Sequence, residues 1–130
     1  AVVICSMIVP VSAANRNDTV SPQSSSYISN VWASASRSGS SITVTFSITA
    51  TGKMSSLGAT LVSIKDSSGN VVKTFSYTTT SSMMGSNRTY YSSSVTYTEA
   101  STTTKYYAVV YYKAADSNGY DTTSYTTAKV

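Results

Sequence analysis

The sequence predicts an all-β fold, a single seven-stranded antiparallel β-sandwich. Strict alternation through Ser41–Thr49 places Ile42, Val44, Phe46 and Ile48 on one side of a pleated strand and hydroxyls on the other. Strand-length segments recur between turn signals, the strongest being Asp66-Ser67-Ser68-Gly69-Asn70 and Asp116–Gly119. No segment has the three-to-four spacing of an amphipathic helix, and no internal repeat is evident.

Taken in order, Tyr27–Arg37 is the first strand and holds the single tryptophan, Trp32. The turn Ser38-Gly39-Ser40 leads into Ser41–Thr51, whose alternation is the cleanest in the chain. Gly52–Ser56 reads as a loop and Leu57–Lys65 as the third strand, which enters the Asp66–Asn70 hairpin turn. Val71–Thr79 returns. Thr80–Arg88 is the longest expected loop and carries Met83, Met84 and Gly85. Thr89–Thr98 is a strand, Glu99–Thr103 a polar connection, and Lys105–Ala115 a tyrosine-rich strand. Tyr120–Lys129 closes the fold after the Asp116–Gly119 turn. Seven strands at this spacing are the mark of a sandwich.

Composition narrows the class. A chain of 130 residues holds one core, and 41% hydrophobic residues are enough to fill it. Charged residues are only 11%, against a usual share of about a quarter, so hydroxyls must supply solubility. Disorder is excluded because β-branched and aromatic residues recur in register. The net charge of +4 is spread as single Lys and Arg residues. No basic cluster tracks a phosphate backbone, which argues against nucleic acid as partner.

Ala1–Val11 reads as the end of an apolar signal region, and Val11-Ser12-Ala13 offers small residues where a signal peptidase inspects the chain. Residues 1–13 are therefore expected to be the remnant of a secretory signal peptide, 14–26 a flexible polar leader containing Pro22, and 27–130 the domain. Cys5, the only cysteine, falls in the signal, so no disulfide is expected in the exported part. No second apolar run is long enough to span a bilayer. The expected location is secreted or extracellular.

Parity assigns the faces. In Lys105–Ala115 the lysines at 105 and 113 send Tyr107, Val109 and Tyr111 to solvent, because an unpaired buried ammonium is costly. Tyr106, Val110 and Tyr112 then point inward. By the same reasoning Lys73 sends Val71, Phe75 and Tyr77 outward. Leu57–Lys65 has mixed parity, which suggests a bulge near Gly58, with Val62 and Ile64 inward and Leu61 outward.

Tyr106-Tyr107-Ala108-Val109-Val110-Tyr111-Tyr112, followed by a turn at Asn118-Gly119, resembles the tyrosine-led penultimate strand of a fibronectin type III or immunoglobulin-like module. The layout from Tyr27 to Val130 is similar to short exported sandwich proteins of Gram-positive gut bacteria. One departure is visible: type III modules usually carry a tryptophan in the second strand, whereas Trp32 lies in the first. The resemblance implies a fold and leaves function to the site.

Catalytic chemistry has few candidates. There is no histidine to serve as base beside Ser or Thr. The acids Asp18, Asp66, Glu99, Asp116 and Asp121 are few, and turn chemistry explains Asp66, Asp116 and Asp121 without a reaction. Asp116, Asn118 and Asp121 lack the further oxygens a calcium loop provides. Met54, Met83 and Met84 are expected at one pole, either plugging the core or forming a surface that can re-pack; a thioether copper site is the less economical reading. The expectation is a non-enzyme with no cofactor and no metal.

What remains is binding. Tyr107, Val109 and Tyr111, flanked by Leu61, Phe75 and Tyr77, are expected on one outer sheet face, with Met83 and Met84 as a second candidate surface at the loop pole. Exposed tyrosines stack on sugar rings and add contact area at little entropic cost; ordinary cross-strand pairing is the bland alternative. The expected function is an exported module that binds an extracellular glycan or protein. The alternative is a structural or self-associating surface protein, monomeric or weakly associating, that uses this face or its edge strands.

Overall fold

The computed structural model describes residues 26–130, and the chain there is all-β with antiparallel sheets. The signal reading at 1–13, with Cys5, and nearly all of the leader lie outside the described residues. The strands are β1 (Ile28–Ser38), β2 (Ser41–Met54), β3 (Ser56–Asp66), β4 (Val71–Ser76), β5 (Met84–Gly85), β6 (Arg88–Tyr97), β7 (Tyr106–Asp116) and β8 (Gly119–Thr126). Among the described residues the only helical element is a 3-10 turn at Ser81–Met83. No helix among the described residues is long and apolar enough to cross a membrane.

One sheet has the order β1-β2-β6; the other runs β4-β3-β7-β8, with β5 also paired to β3. The alternation in β2 sets the first sheet. Ile42, Val44, Phe46 and Ile48 are fully buried, while the hydroxyls between them are half-exposed. The second sheet faces that layer with Leu57, Ala59, Val62 and Ile64 of β3 and Ala108, Val110, Tyr112 and Ala114 of β7. Phe46 meets Tyr112 edge-on across the core, centroids 6.3 Å apart. The Tyr112 hydroxyl donates to the Trp32 carbonyl at 2.6 Å, so one buried side chain bolts the second sheet to β1. Burial pushes the Tyr112 phenol well above the ordinary tyrosine range, since the charged form would lose its solvent.

Several elements differ from the sequence reading. Gly52–Ser56 is not a loop: β2 runs on to Met54 and only Ser55 separates it from β3. Ser55 is held by its amide (2.9 Å) and hydroxyl (3.0 Å), both donating to the Ala115 carbonyl. The chain changes sheet there through a single bend residue. The bulge in β3 falls at Thr60, between the Ala59 and Leu61 pairings, rather than near Gly58. It lets Ala59 and Val62 both face the core, which is why the parity looked mixed. The expected long loop after β4 contains the 3-10 turn and β5, one strand more than the seven read from the sequence. Gly58 makes room for that segment: a Cβ there would strike the Met83 carbonyl oxygen and approach the Met84 Cα to 2.8 Å.

Arg37 ties the far end together. Its guanidinium donates to the carbonyls of Ser101 and Thr104, the latter at 2.6 Å, and lies 5.4 Å over the Tyr106 ring. The Ser101 amide in turn donates to the Tyr106 hydroxyl oxygen at 2.8 Å. The Glu99–Thr103 connection is thereby fastened to the edge of the first sheet, with Ala100 donating to Ser40 at 3.0 Å.

Candidate functional site

The outer face of β7 is where the sequence reading and the structure meet. Tyr106, Ala108, Val110, Tyr112 and Ala114 are buried, and the intervening Tyr107, Val109, Tyr111 and Lys113 face away from the core. Register extends this face across the sheet. Tyr111 stands opposite Leu61 of β3 and Ser124 of β8, and Leu61 stands opposite Ser76 of β4. Val109 lies between Ser63 and Thr126, and Tyr107 opposite Lys65. Directly opposed side chains in an antiparallel pair share a face, so Leu61, Tyr107, Val109 and Tyr111 form one patch.

The patch is cut by two shallow grooves. One, of about 470 Å³, is lined by Thr60, Leu61, Tyr111, Thr122 and Ser124 among others. The second, of about 490 Å³, lies between Tyr107, the Ser67–Gly69 turn and the Thr126–Lys129 segment. Tyr111 is 40% exposed and available to a partner, whereas Tyr107 is half-buried with the Lys129 ammonium 5.9 Å from its ring centre. Lys113 sits 4.7 Å over the exposed ring of Tyr120, which occupies the same face at β8. Lys65, Lys113 and Lys129 therefore border the tyrosines. Among the described strand residues no carboxylate has this parity: Asp66, Asp116 and Asp121 oppose Tyr106, Gly119 and Ala114, on the other alternation.

Other expected members are placed elsewhere. Phe75 does not join the outer face. It pairs with buried Val62 and packs half-buried against the core. Lys73 pairs with buried Ile64 on the same side and lies 5.4 Å over the Phe75 ring. The parity rule failed there because β4 is a six-residue edge strand, so a lysine on the core side still reaches water. Val71, by contrast, stands opposite Lys65 on the outer face and is 55% exposed, and Tyr77, 39% exposed, lies just past the end of β4 with its amide donating to Thr60. The methionine pole is overturned as a contact surface. Met83 is fully buried and Met54 nearly so, both inside the core cluster, and Met84 is a half-buried partner of Gly58 in the β3–β5 pairing. They close the end of the core.

The acidic residues are held by their turns. The Asp66 carboxylate accepts from the amides of Asn70 (3.0 Å) and Ser68 (2.9 Å). The Asn70 amide is the largest cause of a carboxyl held below its ordinary range. Asp116 accepts from the Asn118 amide at 2.7 Å, and Asp121 from the Tyr27 amide at 3.0 Å. The Tyr27 phenol is raised, first by loss of solvent and then by the neighbouring Asp116 and Asp121 charges. Asp66 pairs with Tyr106 at one end of β7 and Asp116 ends the strand, so roughly 34 Å of extended chain separates the two turns. Among the described residues no group of three or more His, Cys, Asp or Glu side chains is placed to hold a metal ion.

The sequence reading missed two features of this surface. Lys129 and Lys65 come to the tyrosine face only through the β3–β7 register and the path after β8. Trp32 is 45% exposed on the outside of the other sheet, opposite Ser47. No family model, curated protein or solved structure matches the chain.

Proposed function

We propose that the chain is an exported, non-catalytic β-sandwich module that binds an extracellular glycan bearing acidic groups, through the outer face of the β4-β3-β7-β8 sheet. One observation carries this reading: Tyr107 and Tyr111 share a grooved face with Lys65, Lys113 and Lys129, and among the described strand residues no carboxylate has that parity. Tyrosine rings offer flat apolar area to the faces of sugar rings. The lysines supply the countercharge for carboxylate, sulfate or phosphate substituents, and the hydroxyls of Thr122, Ser124 and Thr126 supply hydrogen bonds between them.

The fold proposed with this function is fibronectin type III or immunoglobulin-like. Two features support it. The first, second and sixth strands make one sheet while the third, seventh and eighth lie in the other. The hydroxyl of Tyr106, at the start of β7, bonds back to the Ser101 backbone, as the tyrosine corner of such sandwiches does. The signal-like 1–13 segment supports secretion.

The test is an array of neutral and acidic glycans probed with the full chain at low and moderate salt. Binding confined to acidic glycans and weakened as ionic strength rises is the expected result. Binding to neutral glycans alone, unaffected by salt, refutes the role given to the lysines.

A further inference from the structure

We propose that β6 is a docking edge for a second copy of this chain, the two β6 strands pairing antiparallel about a two-fold axis at Ser93. An unpaired sheet edge presents a row of free backbone donors and acceptors, and proteins usually blunt such edges with charge, proline, a bulge or shortness. The other three edges carry those devices. β4 has six residues and Lys73. β1 has a register break between Ile28 and Asn30, and Arg37 near its other end. β8 carries Asp121, whose carboxylate accepts from the Tyr27 amide beside β1.

β6 has none of them after Arg88. Thr89–Tyr97 contains no charge and no proline, and its register on β2 is unbroken from Tyr90 to Tyr97. Among the described residues β6 pairs with β2 alone. On its core side the Tyr91 hydroxyl donates to the Ser82 carbonyl and Tyr97 meets Tyr106 edge-on, so the apolar area open to a neighbour is on the outer side, where Tyr90 is 53% exposed.

The occupant is a second copy because the strand complements itself. A two-fold axis normal to the sheet keeps inner residues inner, so paired residue numbers must add to an even number. Centred on Ser93, Tyr91 meets Val95, Tyr90 meets Thr96, Tyr97 meets Thr89, and Ser92 meets Ser94. Every aromatic faces a β-branched residue, the favourable class of cross-strand pair, and no like charges oppose. The result is a continuous six-stranded sheet, and the tyrosine–lysine face of the other sheet is left free on both copies.

Sedimentation of the full chain across a concentration series tests this, with charge placed at Ser92 and Ser94. Both positions are exposed on the outer face, so the fold tolerates lysine there. Ser92→Lys with Ser94→Lys sets two like-charge pairs beside the axis and should weaken the dimer roughly tenfold. Ser92→Lys with Ser94→Glu sets two attractive pairs in their place and should restore it. Ser93→Cys in a Cys5→Ser background should oxidise to a covalent dimer, since opposed Cα atoms about 4.5–5.5 Å apart suit a disulfide. A wild-type chain that stays monomeric at hundreds of micromolar overturns the proposal. So does a dilysine variant that dimerises as well as the wild type.

Discussion

Tyr112→Phe probes the joint between the two sheets. The ring is fully buried against Phe46, and its hydroxyl donates at 2.6 Å to the Trp32 carbonyl. Phenylalanine keeps the packing and removes the bond, leaving that carbonyl short of its inter-sheet partner. A net hydrogen bond is worth about 0.5–1.5 kcal/mol and an orphaned acceptor costs somewhat more, so the loss should be about 1–2 kcal/mol. For a domain of this size that lowers Tm by roughly 5–15 °C. Alkaline pH gives an independent readout. Burial raises the folded phenol, so above about pH 10 the unfolded chain releases this proton while the folded chain keeps it. Wild-type stability therefore falls as pH rises through that range, and Tyr112→Phe should flatten the fall; the residue left includes Tyr27, which is shifted the same way. Urea melts of both proteins at neutral pH and above pH 10 measure both effects. A Phe variant as stable as wild type, with an unchanged alkaline slope, refutes the inter-sheet bolt.

Phe46→Ala should cost about 3–5 kcal/mol by denaturant melting, because its ring is fully buried and the cavity lies between both sheets. Gly58→Ala should destabilise and release the β5 segment, read as faster amide exchange at Met84 and Gly85, since its Cβ meets backbone rather than a movable side chain. At the first hairpin, Asp66 stabilises the fold only while ionised. That contribution is present above the ordinary carboxylate range and is lost as pH falls through the lower folded value, and Asp66→Ala should remove it from an acid titration of Tm.

Period-two alternation alone located most strands, because hydroxyls interleaved with Ile, Val and Phe leave no other way to bury β2. Lys105 just before β7 and Lys113 within it fixed its faces correctly, since the centre of a sheet gives an inward ammonium no route to water. The identical argument failed for Phe75 in β4, although Val71, opposite Lys65, does lie on the outer face. Edge position, a property of the whole sheet, let Lys73 and Phe75 share the core side. The burial of Met83 depended on the Gly58 approach, which joins residues 25 apart and leaves no local signature. Arg37 was unremarkable in sequence because, beyond its local bond to Gly39, its partners are backbone carbonyls more than sixty residues away. On the proposed face Tyr107, Tyr111 and Lys113 were legible by parity; Lys65 and Lys129 needed the register and the path after β8.

The direct test of the account compares wild type with Tyr107→Ser, Tyr111→Ser in titrations against the strongest acidic glycan from the array, alongside a melt of each protein. Both rings lie outside the core, so the variant should melt close to wild type yet lose measurable binding. Trp32, the single tryptophan, reports from the opposite sheet, so wild-type binding should leave its emission unchanged. Undiminished affinity in the variant, or quenching of Trp32 on binding, would place the ligand on another surface and contradict the account.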